Sequence, residues 1–147
     1  MTGRIILIGM PASGKTTIGA ALSRALSVPL YDADALTEQT VGCSIPEIFA
    51  AEGEAAFRAL ERRTLEALCT ETETPCVIAT GGGAVLTEQN RELLRRSGTV
   101  FWLDRTVENI MSTDYAAGRP LLAGGEAALR AMYAVRCPLY AVCAHYR

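Results

Sequence analysis

Gly9-Met10-Pro11-Ala12-Ser13-Gly14-Lys15-Thr16-Thr17 stands between the apolar run Arg4-Ile5-Ile6-Leu7-Ile8 and the segment Thr16–Leu26, which places Ile18, Ala21, Leu22, Ala25 and Leu26 on one side. The stretch fits G-x-x-x-x-G-K-[ST], and a strand before it with a helix after it is the setting in which that pattern has mechanical meaning. Gly9 and Gly14 let the backbone turn its N–H groups toward one point, and the helix N-terminus adds to the field there. Lys15 supplies a mobile positive charge for the outer phosphates of a nucleotide, and Thr16 a hydroxyl for Mg²⁺. Lys15 is the only lysine among 14 basic residues, so no other ammonium can replace it. A plain glycine turn capping a helix is the alternative, and both flanks speak against it.

Outward from this loop, the 147 residues suffice for one domain, 1–147, with a real core. Half the residues are apolar, a fifth are charged, and the net charge is −2. That balance argues against nucleic-acid or anionic-membrane partners, which select a basic excess. No apolar run approaches the ~20 residues of a membrane helix, and the chain enters its first strand without a secretory pattern. Cys43, Cys69, Cys76, Cys137 and Cys143 form no C-x-x-C pair, which predicts free thiols in a reducing cytosol, hence a cytoplasmic protein.

Val28–Tyr31 reads as a second parallel strand ending in Asp32-Ala33-Asp34. Carboxylates at that edge of an open α/β sheet lie where ligands bind. They can hold Mg²⁺ and take a proton from an acceptor hydroxyl, or one of them can simply cap the helix beginning near Ala35. Ser44-Ile45-Pro46-Glu47 predicts a helix start, Gly53 a break, and Glu54 to about Cys69 a longer helix. Arg58 and Glu61 share a face of that helix, as a surface ion pair or as a clamp in which Arg58 grips a carboxylate. Pro75–Thr80 predicts a third strand, followed by Gly81-Gly82-Gly83, which permit close approach of a ligand or a tight turn. Thr87–Arg96 predicts a helix and Thr99–Leu103 a fourth strand with Trp102 in the core. Asp104 is the expected cap of a helix from Val107 to Ser112. Residues 113–125, with Arg119 between glycines, suggest a lid over phosphates or an ordinary connector. A last helix from Glu126 to Val142 carries Arg130, Arg136 and Tyr140, with Pro138 disturbing it and His145 on solvated surface beyond. Alternating strands and helices predict a three-layer α/β/α fold with a parallel sheet.

Together these residues resemble the shikimate kinases, small P-loop kinases related to the nucleoside monophosphate kinases. The likeness rests on the phosphate loop, Asp32-Ala33-Asp34, Ser44-Ile45 with Ile48-Phe49, Gly53-Glu54 leading to Phe57-Arg58-x-x-Glu61, Gly81-Gly82-Gly83-Ala84, Arg119-Pro120-Leu121-Leu122 and Arg136-x-Pro138-Leu139-Tyr140. It implies transfer of the ATP γ-phosphoryl group to the 3-hydroxyl of shikimate, on the route to chorismate and the aromatic amino acids. It implies a catalytic set of Lys15, Asp34 and Arg119, and ATP phosphates held by Gly9, Ala12, Ser13, Gly14, Lys15, Thr16, Thr17 and Arg119. Shikimate would meet Asp34, Phe49, Phe57, Arg58, Glu61, Gly81, Gly82, Gly83 and Arg136, with the binding region at about 32–61. Arg58 and Arg136 would hold its carboxylate and Glu61 would brace Arg58. Mg²⁺ would be bound by Thr16 directly and by Asp32 through water. The protein would act as a monomer.

Two departures concern the nucleotide side. The family's strand order is 2-3-1-4-5, whereas the chain stops soon after Arg136, so the expectation is 2-3-1-4 with the fifth edge strand missing, the edge of strand four exposed and the adenine pocket half built. The arginine that often stacks on adenine is matched by Ser112. A shikimate-kinase-like binding or regulatory module, or a kinase of another sugar acid such as gluconate, therefore stays open at this point.

Overall fold

The computed structural model describes residues 3–112 and 124–147. In chain order its elements are β1 (Arg4–Ile8), α1 (Lys15–Leu26), β2 (Leu30–Asp32), α2 (Ala33–Val41), α3 (Ile45–Glu71), β3 (Cys76–Ala79), α4 (Glu88–Ser97), β4 (Thr99–Trp102), α5 (Val107–Ile110) and α6 (Gly125–Cys143). The strands form one parallel sheet in the expected order, β2-β3-β1-β4. Parallel strands covered on both faces need unbroken apolar runs. Accordingly Ile6, Leu7, Ile8, Val77 and Ile78 are all at most 1% exposed. Ile6, Ile8, Ile78 and Val100 join Leu65 and Leu68 of α3, Leu94 of α4, and Leu129 and Tyr140 of α6 in one core. Trp102 belongs to that core, its ring 5.8 Å from the ring of Tyr140.

Helix α1 lies on the opposite face, and it is rotated from the expected orientation. Its buried residues are Lys15 and Gly19, while Ile18 and Leu26 are exposed and Ala21 and Ala25 lie outside. The phosphate loop decides this rotation. Lys15 must fold back into the loop, and the residue four positions on then faces the sheet. Gly19 suits that position, because a Cβ there would come within 3.0 Å of Leu30 Cδ1 and 3.5 Å of Leu7 Cδ1.

The helix starts follow their capping residues. Ser44 and Glu47 form a reciprocal capping box, and Thr87 accepts from the Asn90 N–H. Gly53, at φ 85° and ψ 175°, is non-helical and breaks α3 into two helical segments, as expected. Thr106, not Asp104, caps α5; Asp104 instead accepts from Tyr133 Oη and from Arg147. Pro138 sits inside α6, which nonetheless continues to Cys143.

The edge of β4 is not bare. The His145 N–H donates to Val100 O (2.8 Å), the Trp102 N–H donates to Tyr146 O (2.8 Å), and Phe101 and Tyr146 form a parallel bridge. His145 is exposed, as expected, but its Nδ1 accepts the Val100 N–H at 3.0 Å. Residues 145–147 thus start a pairing that satisfies backbone groups a bare edge would leave open.

Candidate active site

The C-terminal ends of β1, β2 and β3 feed three loops into one cleft of about 320 Å³. It is lined by Pro11, Ala12, Gly14, Lys15, Thr16 and Thr17 from the phosphate loop, Asp32 and Asp34 from the β2–α2 junction, and Thr80, Gly81 and Gly82 after β3. A second, more apolar cleft of about 520 Å³ lies between α2 and α3 beside Tyr31 and touches none of the phosphate-loop residues.

Lys15 is folded into the loop that carries it. Its Nζ donates to Gly9 O (2.9 Å), Met10 O (2.7 Å) and Ser13 Oγ (3.4 Å). Burial lowers its pKa to about 8, against the opposing pull of Asp34 and Asp32 and with a small push from the Arg136 charge. Gly9 is required by close approach, since a Cβ there would lie 2.6 Å from Leu103 O. Asp32 has two roles at once. Its Oδ1 accepts the Ala35 N–H (3.0 Å) as N-cap of α2, and its Oδ2 accepts from Thr16 Oγ1 (2.9 Å).

Asp34, in the first turn of α2, is held differently. Desolvation raises its carboxyl to about 6, helped by the charges of Glu61 and Asp32 and opposed by Lys15. With Lys15 it is one of two cleft groups whose protonation changes near neutrality, and it is the carboxylate of the two, as suits a proton acceptor.

Arg58 stands behind the glycine turn. Its Nη1 donates to Glu61 Oε1 (2.9 Å) and its Nη2 to Glu54 Oε1 (3.4 Å), and its guanidinium lies 5.2 Å from the centre of the Phe57 ring. Glu61 is 2% exposed, so this is no surface ion pair. Burial raises the Glu61 pKa in spite of the charge and hydrogen bond of Arg58, so desolvation outweighs the pairing. Arg58 Nε is buried without a hydrogen-bond partner among the described residues, leaving donor capacity unused there. Phe57 is buried, and Phe49, half-exposed, stacks toward it at 4.9 Å.

The three glycines after β3 make room for these groups. A Cβ on Gly81 would lie 2.6 Å from Asp34 Oδ1, one on Gly82 2.7 Å from Pro11 Cδ, and one on Gly83 2.6 Å from Arg58 Nη2. Their small size therefore serves the packing of Asp34 and Pro11, which line the cleft, and of Arg58, which stands outside its lining, a use the sequence does not disclose. From α6, Tyr140 Oη donates to Gly82 O (2.6 Å), and burial raises its pKa against the opposing charge of Arg136. Arg136 is half-buried, and its charge reaches both Lys15 and Glu61. Sequence reasoning assigned Tyr140 no task, although its position four residues after Arg136 puts both on one helical face.

Arg119 and most of the expected lid at 113–125 lie outside the described residues. Ser112 is exposed, and its Oγ donates to Asn109 O (3.1 Å). All five cysteines are free, and no described helix is long and apolar enough to cross a membrane.

Comparison with known proteins gives a consistent result. The family model for shikimate kinase matches residues 11–147. A shikimate kinase of Symbiobacterium thermophilum is 44% identical, covering 97% of this chain and 84% of its own. One from Parasynechococcus marenigrum is 47% identical over 93% of this chain and 72% of its own. The solved shikimate kinase of Acinetobacter baumannii, in complex with shikimate, superposes with a TM-score of 0.89 at 38% identity, covering 97% of this chain and 80% of its own. A gluconokinase from Sinorhizobium meliloti reaches only 0.56 at 16% identity over 89% of this chain and 73% of its own, a likeness of fold alone.

Proposed function

The chain belongs to the shikimate kinase family, whose members phosphorylate shikimate with ATP, and we propose that it does so in the cleft between the phosphate loop and the Gly81–Gly83 turn. The observation that carries this reading is that Lys15 and Asp34 share one cleft and act on each other's charge. Loop N–H groups from Ala12 to Thr17 and the Lys15 ammonium hold the ATP phosphates, with Arg119 as a further cation. Asp34 accepts the proton of the 3-hydroxyl while that oxygen bonds to the γ-phosphorus, and the bond to the ADP oxygen breaks. Arg58, braced by Glu61, and Arg136 grip the shikimate carboxylate, and Phe49 and Phe57 wall the ring. Such a reaction needs mainly positioning and charge stabilisation.

Thr16 and Asp32 fit a hard cation, since a hydroxyl and a carboxylate 2.9 Å apart present oxygen alone. Mg²⁺ held there would neutralise phosphate charge, Thr16 binding it directly and Asp32 through water. Among the described residues no cluster of three or more His, Cys, Asp or Glu side chains stands ready for a metal. Nucleotide phosphates and water would therefore supply the remaining oxygens. A monomer is the working unit of this reading, and five free thiols support a cytoplasmic setting.

A coupled assay with MgATP and shikimate, with gluconate as control, tests the reading. Turnover on shikimate is expected, with kcat/KM for shikimate rising as pH passes about 6 and Asp34 loses its proton. Turnover on gluconate alone, or on neither, rejects the substrate, and a profile flat from about pH 5 to 7 rejects Asp34 as proton acceptor. Gly83→Ala provides a second check. Its new methyl must displace Arg58, so the shikimate KM should rise about 10- to 100-fold, the usual cost of a shift near 1 Å. An unchanged KM would mean that Arg58 does not bind shikimate from this position.

A further inference from the structure

The phosphate loop contains a backbone feature that its sequence pattern does not explain. The Ser13 N–H donates to Met10 O (3.1 Å), closing a turn with Pro11 and Ala12 at its centre. Ala12 has φ 62°. A proline followed by a residue of positive φ is the type II arrangement, whose third position favours glycine. An alanine there is strained, and the strain persists only where surrounding contacts over-determine the conformation.

The contact that does so comes from the far side of the chain. Arg105, in the loop between β4 and α5, donates from Nη1 to Ala12 O at 2.8 Å and from Nη2 to Asn109 O at 3.1 Å. That loop is anchored at its start, because the Leu103 N–H donates to Ile8 O at the end of β1 (2.9 Å) and Asp104 accepts from Tyr133 Oη of α6 (3.1 Å). The guanidinium thus approaches the turn from a fixed base.

We propose that Arg105 is a positioning residue for nucleotide phosphates: by holding the carbonyl of Ala12 it keeps the Met10–Ser13 turn in its left-handed form, and with it the direction of the loop's N–H groups. Ala12, Gly14 and Lys15 all line the cleft, and Lys15 bonds Gly9 O and Met10 O, the carbonyls that lead into the same turn. A turn that relaxes would move those carbonyls and the donors beyond them together. The inference rests on the kinase reading for the identity of the nucleotide, but not on shikimate.

The test is a double-mutant cycle read by calorimetric titration of MgADP alongside steady-state kinetics. Arg105→Ala should weaken MgADP and raise the MgATP KM about tenfold or more, as expected for loss of one charge-assisted bond. The shikimate KM at saturating MgATP should stay within about twofold. In the Ala12→Gly background the same Arg105→Ala change should cost less than about threefold, because glycine adopts the turn without being held. A merely structural arginine would lower both ligand affinities and would not be rescued by glycine. MgADP affinity unaltered by Arg105→Ala overturns the proposal. So does an equal loss in both backgrounds, which would mean that the guanidinium acts on the phosphates by its charge. A wild-type chain that binds MgADP but turns over no shikimate would instead reject the kinase reading and leave this inference standing.

Discussion

Asp34→Asn is expected to lower kcat about 10²- to 10⁴-fold, the usual worth of a positioned proton acceptor, and to make the unliganded protein more stable. The two effects share one cause. The Asp34 carboxyl has a folded pKa of about 6 against an ordinary 3.8, chiefly through desolvation. Between these values the unfolded chain has already released the proton that the folded chain retains, so ionisation works against folding. The cost is absent below about pH 4, grows as pH rises through the window, and is fully present above about pH 6. Two pK units correspond to on the order of 2–3 kcal/mol. An amide of the same shape removes that cost while still fitting beside Gly81. Thermal melts at pH 7.5 should therefore show the variant several degrees above wild type, and the gap should close at pH 4. A retained kcat, or a lower melting temperature at both pH values, would show that Asp34 is a structural carboxylate.

Arg58→Ala should raise the shikimate KM about 10²-fold, since charge-assisted bonds to a carboxylate are worth about 1.5–3 kcal/mol each, and should leave MgADP affinity nearly unchanged. The same change strands Glu61, which is 2% exposed and loses its partner at 2.9 Å. An abandoned buried carboxylate destabilises by about 3–5 kcal/mol unless it takes up a proton. The double variant Arg58→Ala with Glu61→Gln separates the roles. Stability should return, because no charge is left buried, while the shikimate KM stays high. Recovery of both together would reduce Arg58 to a scaffold for α3. Equal weakening of MgADP and shikimate by the single variant would point the same way.

Much of the site was readable because its parts obey local rules. The phosphate loop, Asp32 as helix cap, the Ser44–Glu47 capping box and the break at Gly53 each depend on residues within a few positions of one another. The buried runs of β1 and β3 could be read for the same reason, because a parallel strand covered on both faces cannot alternate. Errors arose where a distant partner decided the outcome. Helix α1 turns Gly19 rather than Ile18 to the sheet because Lys15 is bound back into its loop. Asp104 serves Tyr133 and Arg147 instead of α5 because α6 lies beside it. Val100 and Trp102 pair with His145 and Tyr146, so β4 lacks the bare edge its neighbours in sequence suggested.

By itself, then, the sequence determined the alternation of strands and helices, the phosphate loop, and the residue types able to hold an anion and accept a proton, since periodicity and motif spacing act over one or two turns of chain; the order of the strands came only from the likeness to a family. Tertiary structure alone decided which groups meet. It set Asp34 against Gly81, Arg58 against Gly83, Tyr140 on Gly82 O and Arg105 on Ala12 O. Such contacts join residues far apart in the chain, and they depend on distances that only the packed layers set. The same packing supplies the desolvation that moves Lys15 and Asp34 toward neutrality, because a charge is shifted by what surrounds it in space rather than by what precedes it in the chain.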